Sequence, residues 1–487
     1  MTHEVSDDEI WNGLRSRFAV GERVVARRGR RLALNPGRSG AVKGPARFRN
    51  AGVGSIVGMG AAVVLVAVLL GSWAGRLGTV PKTSALASGP LGASTETPEA
   101  STAVTAYPTP STSPQPQTGA GRTRQTATLL KGGRVLIAGG QTGTEQIPLV
   151  SEDLRILASA VLYDPGTGKL AATGSMTTWR WGETETLLPD GKVLVAGGLN
   201  GTGLLRSAEL YDPETGKFSR TGQMTVARSG QTATLLASGL VLLVGGEERE
   251  RVRTAELYDP RTGRFTRTGT MTVTTQVDTA TLLANGSVLV TGSLPIPATN
   301  GEYRPSAEIY DPGTGKFRLA GSMSVARSGA TATLLLSGKV LVAGGCSPDF
   351  GTFPSTVCPI GSAELYDPGT DSFTLLKMTV PRDRFTATRL PDGRVLLAGG
   401  YSGSLKDPYV ITSTAEIYEP ATGAFAPTGP MTIGRGNQTA TLLANGRVLM
   451  VGGEDIIGGS LSSLSSSEIY DPATGTFTEA ASLTDAP

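Results

Sequence analysis

The chain repeats one pattern of apolar and polar positions seven times from residue 122 onward. Each copy has an apolar Thr-x-Thr-Leu segment, a second apolar segment ending in Gly-Gly, an Ala-Glu-Leu-Tyr-Asp-Pro segment, and a short fourth segment after Thr-Gly. Apolar runs of this length between glycine- and proline-containing turns are typical of β-strands. The first segment begins at residues 126, 184, 232, 279, 331, 386 and 439. The pattern therefore predicts four strands per copy, with a period near 50 residues.

The connections between the predicted strands differ in length. The first carries glycine in turns such as Pro-Asp-Gly and the third reads Asp-Pro-x-Thr-Gly, so both suit tight antiparallel turns. Only the second connection varies strongly among the copies. Four antiparallel strands repeated seven times around an axis predict an all-β, seven-bladed β-propeller over residues 121–487. Because the last copy supplies its own fourth strand, blade 7 is expected to meet blade 1 by side-chain packing alone.

The Gly-Gly pairs, the Tyr-Asp-Pro elements and the period resemble kelch repeats, in the version common in bacterial secreted proteins and related to the propeller of galactose oxidase. The resemblance covers residues 122–487 and implies a kelch-type propeller. It implies no single function, because kelch propellers serve as peptide-binding modules, carbohydrate-active enzymes and structural parts.

A different organisation precedes the repeats. Residues 1–52 form a basic tail, with a candidate short helix, that carries eleven Lys/Arg against five Asp/Glu in its first 50 residues. Residues 53–75 are uncharged and long enough to cross a bilayer as one transmembrane helix. Residues 76–120, rich in Ser, Thr, Pro and Ala, predict a disordered stalk.

The distribution of charge predicts a topology. Positive charges concentrate before residue 53, so the positive-inside rule places the N-terminus in the cytoplasm and the propeller outside, as in a single-pass cell-membrane protein. A cleaved signal peptide is the alternative, disfavoured because its basic region would span about 50 residues. The net charge of +3 is too small to predict a nucleic-acid partner.

The only two cysteines, Cys346 and Cys358, lie in one variable connection. Outside the cytoplasm such a pair is expected to form a disulfide. Two cysteines without a nearby histidine do not complete a tetrahedral site, so neither a metal nor another cofactor is expected.

Arginine recurs four residues before the first strand of each copy, with one exception at Thr275. The positions are Arg122, Arg180, Arg228, Arg327, Arg382 and Arg435. Guanidinium groups that converge on the mouth of the channel would bind an anion or carboxylate. Alternatively, each arginine ties neighbouring blades together through backbone carbonyls or through the repeated glutamates at 209, 256, 308, 364, 416 and 468. The second interpretation is favoured, because a residue present in nearly every blade usually serves the blade.

Residues that break the repeat are better candidates for ligand binding. The variable connections and the blade-to-blade connections are expected to share one face of the propeller, since strand direction alternates. That face would carry Trp179, Trp181, Tyr303, Phe350, Phe353, Arg384, Phe385, Tyr401 and Tyr409. Such side chains stack on sugars or anchor peptides, although packing of the long loops onto the propeller is the alternative for each.

Catalysis finds little support in the sequence. The single histidine, His3, lies in the basic tail, which excludes a galactose-oxidase-like copper site and a Ser-His-Asp triad on the propeller. Glu183 and Asp278 remain a candidate carboxylate pair. The first hypothesis is therefore a membrane-anchored, non-enzymatic propeller that binds a glycan, peptide or protein. The alternatives are a carbohydrate-active enzyme that uses carboxylates and arginines at the channel mouth, and an envelope sensor whose residues 1–50 contact a cytoplasmic partner.

Overall fold

Seven antiparallel sheets of four main strands, one per sequence repeat, make up the fold in the computed structural model. The structure describes residues 121–145, 155–246, 253–273, 276–295, 303–347, 358–403 and 410–485. The predicted tail, membrane span and stalk lie outside these residues. Within the described ranges, no helix has the length and apolar character needed to cross a membrane.

The first four blades follow the chain in order. Blade 1 contains β1 (Thr126–Leu129), β2 (Val135–Ala138), β3 (Gln141–Thr142), β4 (Thr144–Glu145), β5 (Arg155–Ile156), β6 (Ala160–Asp164) and β7 (Lys169–Ala172). Blade 2 contains β8 (Trp181–Leu187), β9 (Val193–Asn200), β10 (Gly203–Leu204), β11 (Ser207–Asp212) and β12 (Lys217–Gln223). Blade 3 contains β13 (Thr232–Leu235), β14 (Val241–Val244), β15 (Thr254–Asp259) and β16 (Arg264–Thr270). Blade 4 contains β17 (Gln276–Leu282), β18 (Val288–Pro295), β19 (Tyr303–Asp311) and β20 (Lys316–Leu319).

The last three blades repeat this order. Blade 5 contains β21 (Thr331–Leu334), β22 (Val340–Ala343), β23 (Ser362–Asp367) and β24 (Ser372–Lys377). Blade 6 contains β25 (Thr386–Arg389), β26 (Val395–Ala398), β27 (Tyr401–Ser402), β28 (Val410–Ile411), β29 (Ala415–Glu419) and β30 (Ala424–Thr428). Blade 7 contains β31 (Thr439–Leu442), β32 (Val448–Val451), β33 (Glu454–Ile457), β34 (Ser460–Ser463), β35 (Ser467–Asp471) and β36 (Thr476–Glu479), and a 3-10 turn follows at Leu483–Asp485.

The four strands of each blade pair in sequence order, as the turn pattern predicts. The second strand is an unbroken apolar run, Val135–Ala138 in blade 1, and all four of its residues are buried because both of its faces are covered. A tyrosine on the third strand packs on a phenylalanine of the fourth, as in Tyr211 and Phe218, whose ring centroids lie 4.8 Å apart. The four contiguous strands of every blade confirm the predicted blade architecture.

One hydrophobic cluster fills each of the seven seams between neighbouring blades in the described part of the chain. At the last seam, Val135 and Ile137 of blade 1 pack with Leu449 and Val451 of blade 7. The ring of blades is therefore closed.

The expectation that blade 7 meets blade 1 by side-chain packing alone is wrong. The β33–β34 hairpin of blade 7 pairs with β4 of blade 1, with Leu461 opposite Glu145 and Ser462 opposite Thr144. The backbone N–H of Gly453 also donates to the carbonyl of Arg122 at 2.8 Å. Backbone hydrogen bonds therefore join the two ends of the ring, and those between β34 and β4 form because the variable loops of these two blades are long enough to form strands of their own.

Cys346 and Cys358 form the predicted disulfide in blade 5. The bond closes a short loop, so reducing it should lower the free energy of unfolding by about 2–3 kcal/mol through the added freedom of the unfolded chain. Urea denaturation with and without a reductant measures this loss. A Cys346→Ser, Cys358→Ser variant serves as the control, because its stability should not respond to the reductant.

Candidate functional site

The six repeated arginines lie inside their blades, with at most 1% of each residue exposed. In each of these six blades one guanidinium nitrogen donates to the carbonyl of the first glycine of the Gly-Gly pair and to a carbonyl at the start of the third strand. For Arg228 these bonds reach Gly245 at 2.7 Å and Thr254 at 2.9 Å. The hydroxyl of Thr254 accepts a further bond from Arg228 at 2.9 Å. The same bonding pattern holds Arg122, Arg180, Arg327, Arg382 and Arg435.

The glutamates complete this arrangement, which we call the arginine brace. Arg228 pairs with Glu256 at 3.1 Å, and both side chains are fully buried. Glu256 also accepts the backbone N–H groups of Thr225 and Val226, which belong to the connection from the preceding blade. Equivalent ion pairs join Arg180 to Glu209, Arg327 to Glu364, Arg382 to Glu416, and Arg435 to Glu468.

The main chain of the same arginines joins the blades. The carbonyl of Arg228 accepts the N–H of Gly198 in blade 2 at 2.8 Å, and the carbonyl of Arg435 accepts that of Gly400 in blade 6 at 2.7 Å. The side chain thus braces its own blade while the backbone holds the preceding one. This geometry favours the structural interpretation of the arginines, whose guanidinium groups face the blade interior and not the channel mouth.

Blade 1 has the arginine of the brace without the glutamate. Val161 occupies the glutamate position, and no ion pair to Arg122 forms among the described residues. Burial lowers the pKa of Arg122 to about 10, although the carboxyl of Glu183 in blade 2 raises it. Blade 4 has the opposite exception, because Glu308 binds the N–H groups of Thr272 and Val273 and the repeat places no arginine there.

A second set of residues lies two positions after each brace arginine, where the sequence predicts the mouth of the channel. Glycine occupies this position in blades 2, 3 and 5, with φ between +63° and +70°. In the three consecutive blades 6, 7 and 1 the residues are Arg384, Asn437 and Arg124, and their φ angles of +52°, +53° and +57° are also left-handed. The N–H of Arg124 donates to the carbonyl of Asn437, and the N–H of Asn437 donates to the carbonyl of Arg384. These three residues therefore form one continuous arc, which we call the mouth arc.

Aromatic rings hold both arginines of the mouth arc. The guanidinium of Arg124 lies 4.9 Å from the ring centroid of Trp181, across the seam between blades 1 and 2. The guanidinium of Arg384 lies 5.6 Å from the ring of Tyr401. The hydroxyl of Tyr401 and the amide of Asn437 both donate to the buried carboxylate of Glu454 at 2.5 Å. Glu454 thus holds Asn437 directly and holds Arg384 through the ring of Tyr401.

The other predicted aromatic residues divide into two groups. Trp179 packs against the hydrophobic cluster between blades 1 and 2, and Phe385 is buried in the cluster between blades 5 and 6. Both therefore pack the propeller. The side chain of Tyr303 and the whole of Phe350, Phe353 and Tyr409 lie outside the described residues, so their predicted binding role stays a prediction.

The structure does not bring the candidate carboxylates Glu183 and Asp278 together. Glu183 faces blade 1, whereas Asp278 accepts the N–H of Gly329 in blade 5 at 3.3 Å. Burial raises the pKa of Asp278 well above its usual value. The carboxyl group beside Glu183 belongs instead to Glu185, two residues further along β8 on the same face, where it accepts the hydroxyl of Thr128 at 2.8 Å.

Sequence reasoning missed Arg124, Asn437 and Glu185, although a signal existed for each. Arg124 and Asn437 stand where most other copies have glycine, and Glu185 replaces the alanine of the Thr-Ala-Thr-Leu strand. These substitutions are visible in the repeat. That Asn437 and Arg124 lie side by side could not be seen there, because blades 7 and 1 are neighbours only in the closed propeller.

Three potential metal ligands, Cys346, Cys358 and Asp383, lie within 4.8 Å of one another in the described part of the chain. Because the two cysteines are joined in a disulfide, they offer no thiolates, and a single carboxylate remains. This group does not fit a transition metal that requires thiolate or imidazole ligands.

The sheets and the braces define a β-propeller of seven contiguous four-stranded blades. A family model described as the kelch motif matches residues 186–225, from the inner strand of blade 2 to the connection into blade 3. Residues 186–225 therefore carry a kelch motif, and the other six copies of the repeat form blades of the same architecture.

One similar solved structure is a fungal alcohol oxidase of the AA5 family in complex with copper. It is 19% identical with a TM-score of 0.51, and the match covers 71% of this chain and 74% of that chain. The likeness is one of fold, and the ligand groups described above do not fit copper. No curated protein matches the chain.

Proposed function

We propose that the protein is a single-pass membrane protein that displays its kelch propeller outside the cytoplasm as a binding module for a peptide segment of a protein partner. The basic residues 1–52, the apolar residues 53–75 and the polar residues 76–120 support the anchor, its orientation and the stalk. The mouth arc is the proposed contact surface.

The left-handed backbone of the mouth arc is the observation that carries this proposal. A non-glycine residue in this conformation costs about 1–2 kcal/mol, and three other blades avoid the cost with glycine. Residues held in such conformations concentrate at ligand-binding sites, where the surrounding structure fixes them. Arginine at two of the three positions of the arc, at the mouth of the channel, is best explained by contact with a ligand.

The chemistry of the mouth arc suits a peptide. Arginine, tryptophan and tyrosine are the side chains that most often dominate the energy of protein interfaces. Trp181 and Arg124 present a planar cation stacked on an aromatic ring. Arg384 lies over the ring of Tyr401, which is buried, and also pairs with Asp383 at 3.6 Å. The arginines attract acidic or carbonyl-rich segments, while the ring of Trp181 provides apolar contact.

The enzymatic alternative required the repeated arginines to contact a substrate. Their guanidinium groups are bonded inside the blades, which argues against that role. The sensor alternative predicts a cytoplasmic partner that residues 1–50 retain, and a pull-down with that segment tests it. Glycan binding is the outcome to be separated from peptide binding, since aromatic rings also stack on sugars.

Arg124→Gly tests the proposed site. It should weaken binding by about tenfold or more, whereas the free energy of unfolding should change by less than about 1 kcal/mol, since glycine is the residue that the repeat uses there. The full-length protein would be applied to random-peptide and glycan arrays, and the affinity for the best peptide measured by biolayer interferometry.

Two matched variants complete this test. Arg261→Ala removes an exposed arginine from a tight turn and should leave binding unchanged. Trp179→Ala should lower stability without removing binding, whereas Trp181→Ala should remove binding. Unchanged affinity in both Arg124→Gly and Trp181→Ala would exclude the mouth arc, and glycan binding in place of peptide binding would change the ligand class.

A further inference from the structure

In blades 1, 2, 3 and 7 the residue just before the Thr-x-Thr-Leu segment lies against the preceding blade, in a position that we call the slot. In blades 1, 3 and 7 this residue is a glutamine, whose Nε2 donates to the carbonyl of the residue before the neighbour's Gly-Gly pair. The bonds are Gln125 to Val451 at 2.8 Å, Gln231 to Ala196 at 2.7 Å, and Gln438 to Ala398 at 2.8 Å. Each bond joins two blades near the axis, so the slot calls for a hydrogen-bond donor.

In blade 2 this slot holds Glu183. A Cβ atom built on Gly139 of blade 1 would lie 2.0 Å from its Oε1, and at the corresponding glycines the donating Nε2 atoms lie 2.5–2.7 Å from such an atom. Oε1 of Glu183 thus lies against Gly139 as the donating nitrogens lie against the other three glycines, and the carbonyl equivalent to their acceptors is that of Ala138. An ionised carboxylate has no hydrogen to donate, so it would set two acceptors against each other. Glu183 is 6% exposed, and neither carboxyl oxygen accepts a well-formed hydrogen bond from a described residue.

We propose that Glu183 is a neutral carboxylic acid in the folded protein and donates its hydroxyl hydrogen to the carbonyl of Ala138, which makes the seam between blades 1 and 2 a proton-dependent joint. Protonated Glu183 reproduces the bond that glutamine makes in three other blades. Loss of the proton replaces that bond with repulsion between two oxygens. The joint does not depend on the proposed binding function.

The charges around the slot support a neutral form. Burial raises the pKa of Glu183 to about 8, although its own backbone N–H, the charge of Arg180 and the N–H of Gly140 lower it. The neighbouring Glu185 raises it further. Arg180 is already paired with Glu209, so its charge is largely compensated.

Two further charged groups face the slot from the same seam. Burial raises the pKa of Glu185 to about 7, against hydrogen bonds from Thr128 and Thr126 of blade 1. Arg122 of blade 1 lies within electrostatic range of Glu183, but no ion pair between them is present in the described structure. Arg122 and the N–H of Gly140 are the groups of blade 1 named here that favour ionised Glu183, and the guanidinium of Arg122 is already bonded to Gly139 and Ser159.

The sign of the pH dependence follows from these values. The pKa of Glu183 is about 8 in the folded chain and 4.5 in the unfolded chain, so the unfolded chain releases the proton first as pH rises. The contribution of Glu183 to stability is therefore complete below pH 4.5, decreases up to about pH 8, and is constant above it. Over that interval one proton changes the unfolding constant by about tenfold per pH unit.

Glu183→Gln tests the joint, since glutamine is the residue of the other blades. With increasing pH between about 5 and 8, the unfolding constant of the full-length wild type should rise relative to that of Glu183→Gln by on the order of tenfold per pH unit. Urea denaturation at several pH values measures this difference. Glu185→Ala, which restores the alanine of the other copies, should retain the transition of Glu183 and move it to lower pH, because it removes a neighbouring negative charge.

Infrared spectroscopy of the native protein gives a second measurement that does not depend on unfolding. The difference between wild type and Glu183→Gln cancels the bands of Glu185 and Asp278, whose pKa values burial also raises. At pH 6 to 7, on the order of one pH unit below the transition, this difference should contain the carbonyl stretch of a protonated, hydrogen-bonded carboxylic acid, which should disappear above the transition. Parallel pH profiles for wild type and Glu183→Gln, or an ionised Glu183 at pH 6, would overturn the joint.

Discussion

Glu256→Val should lower the free energy of unfolding by about 3–5 kcal/mol, since it leaves the charge of Arg228 buried without its carboxylate. Both side chains of this pair are fully buried. The change also removes the acceptor for the backbone N–H groups of Thr225 and Val226, which then have no described partner for these bonds. Equilibrium urea denaturation of the full-length chain measures the loss.

The valine reproduces blade 1, where Val161 stands at the glutamate position. In blade 1 the guanidinium of Arg122 is held by the carbonyls of Gly139 and Ser159 and by the hydroxyl of Ser159, and burial lowers its pKa to about 10. In blade 3 the glutamate has a second role, because Glu256 also accepts the N–H groups of Thr225 and Val226, which valine leaves unbonded. The substitution should therefore be far more costly in blade 3 than the native sequence of blade 1 indicates.

Two variants control this prediction. Glu214→Val changes an exposed turn residue and should alter stability by no more than about 0.5 kcal/mol. Arg228→Met combined with Glu256→Val removes both charges and should recover a large part of the loss, because no unpaired charge is left. A loss below about 1 kcal/mol for Glu256→Val alone would mean that the braces contribute little.

The repeat made most of the fold predictable. Seven copies of one phrase carry their own strand lengths and turns, so the blade order followed from residues such as the glycines of the tight turns. The pairing of Arg228 with Glu256 was also predictable, because both residues recur at constant spacing. The repeated residues make their contacts within one blade or between two adjacent blades. Contacts of this kind recur at constant spacing, so they can be predicted from the sequence.

The parts that were missed depend on contacts between different copies of the repeat. The pairing of β34 with β4 joins residues more than 300 positions apart in loops that resemble no other loop of the chain. The mouth arc became recognisable only when Asn437 and Arg124 were seen to be neighbours across the closed seam. Glu183 illustrates the same limit, because its position was identified in the sequence but the Ala138 carbonyl it faces was not.

Gly452→Ala should cost about 3–5 kcal/mol, from strain in a left-handed backbone and from overpacking at the closing seam. Gly452 has φ of +61°, and an added Cβ would lie 2.4 Å from the carbonyl oxygen of Arg122 in blade 1. That carbonyl cannot easily move away, since it accepts the N–H of Gly453. Urea denaturation of the full-length chain measures the cost.

Gly458→Ala separates the two causes. Gly458 lies in the same blade with the same φ of +61°, but an added Cβ there would meet nothing within 4 Å. Gly458→Ala should therefore lower the free energy of unfolding only by the cost of the left-handed backbone, about 1–2 kcal/mol. The excess loss of Gly452→Ala over Gly458→Ala then measures how tightly blade 1 is held against blade 7. Equal losses would mean that this seam opens in solution, whereas an excess of about 2 kcal/mol would show that the hairpin and the Arg122 carbonyl close the ring.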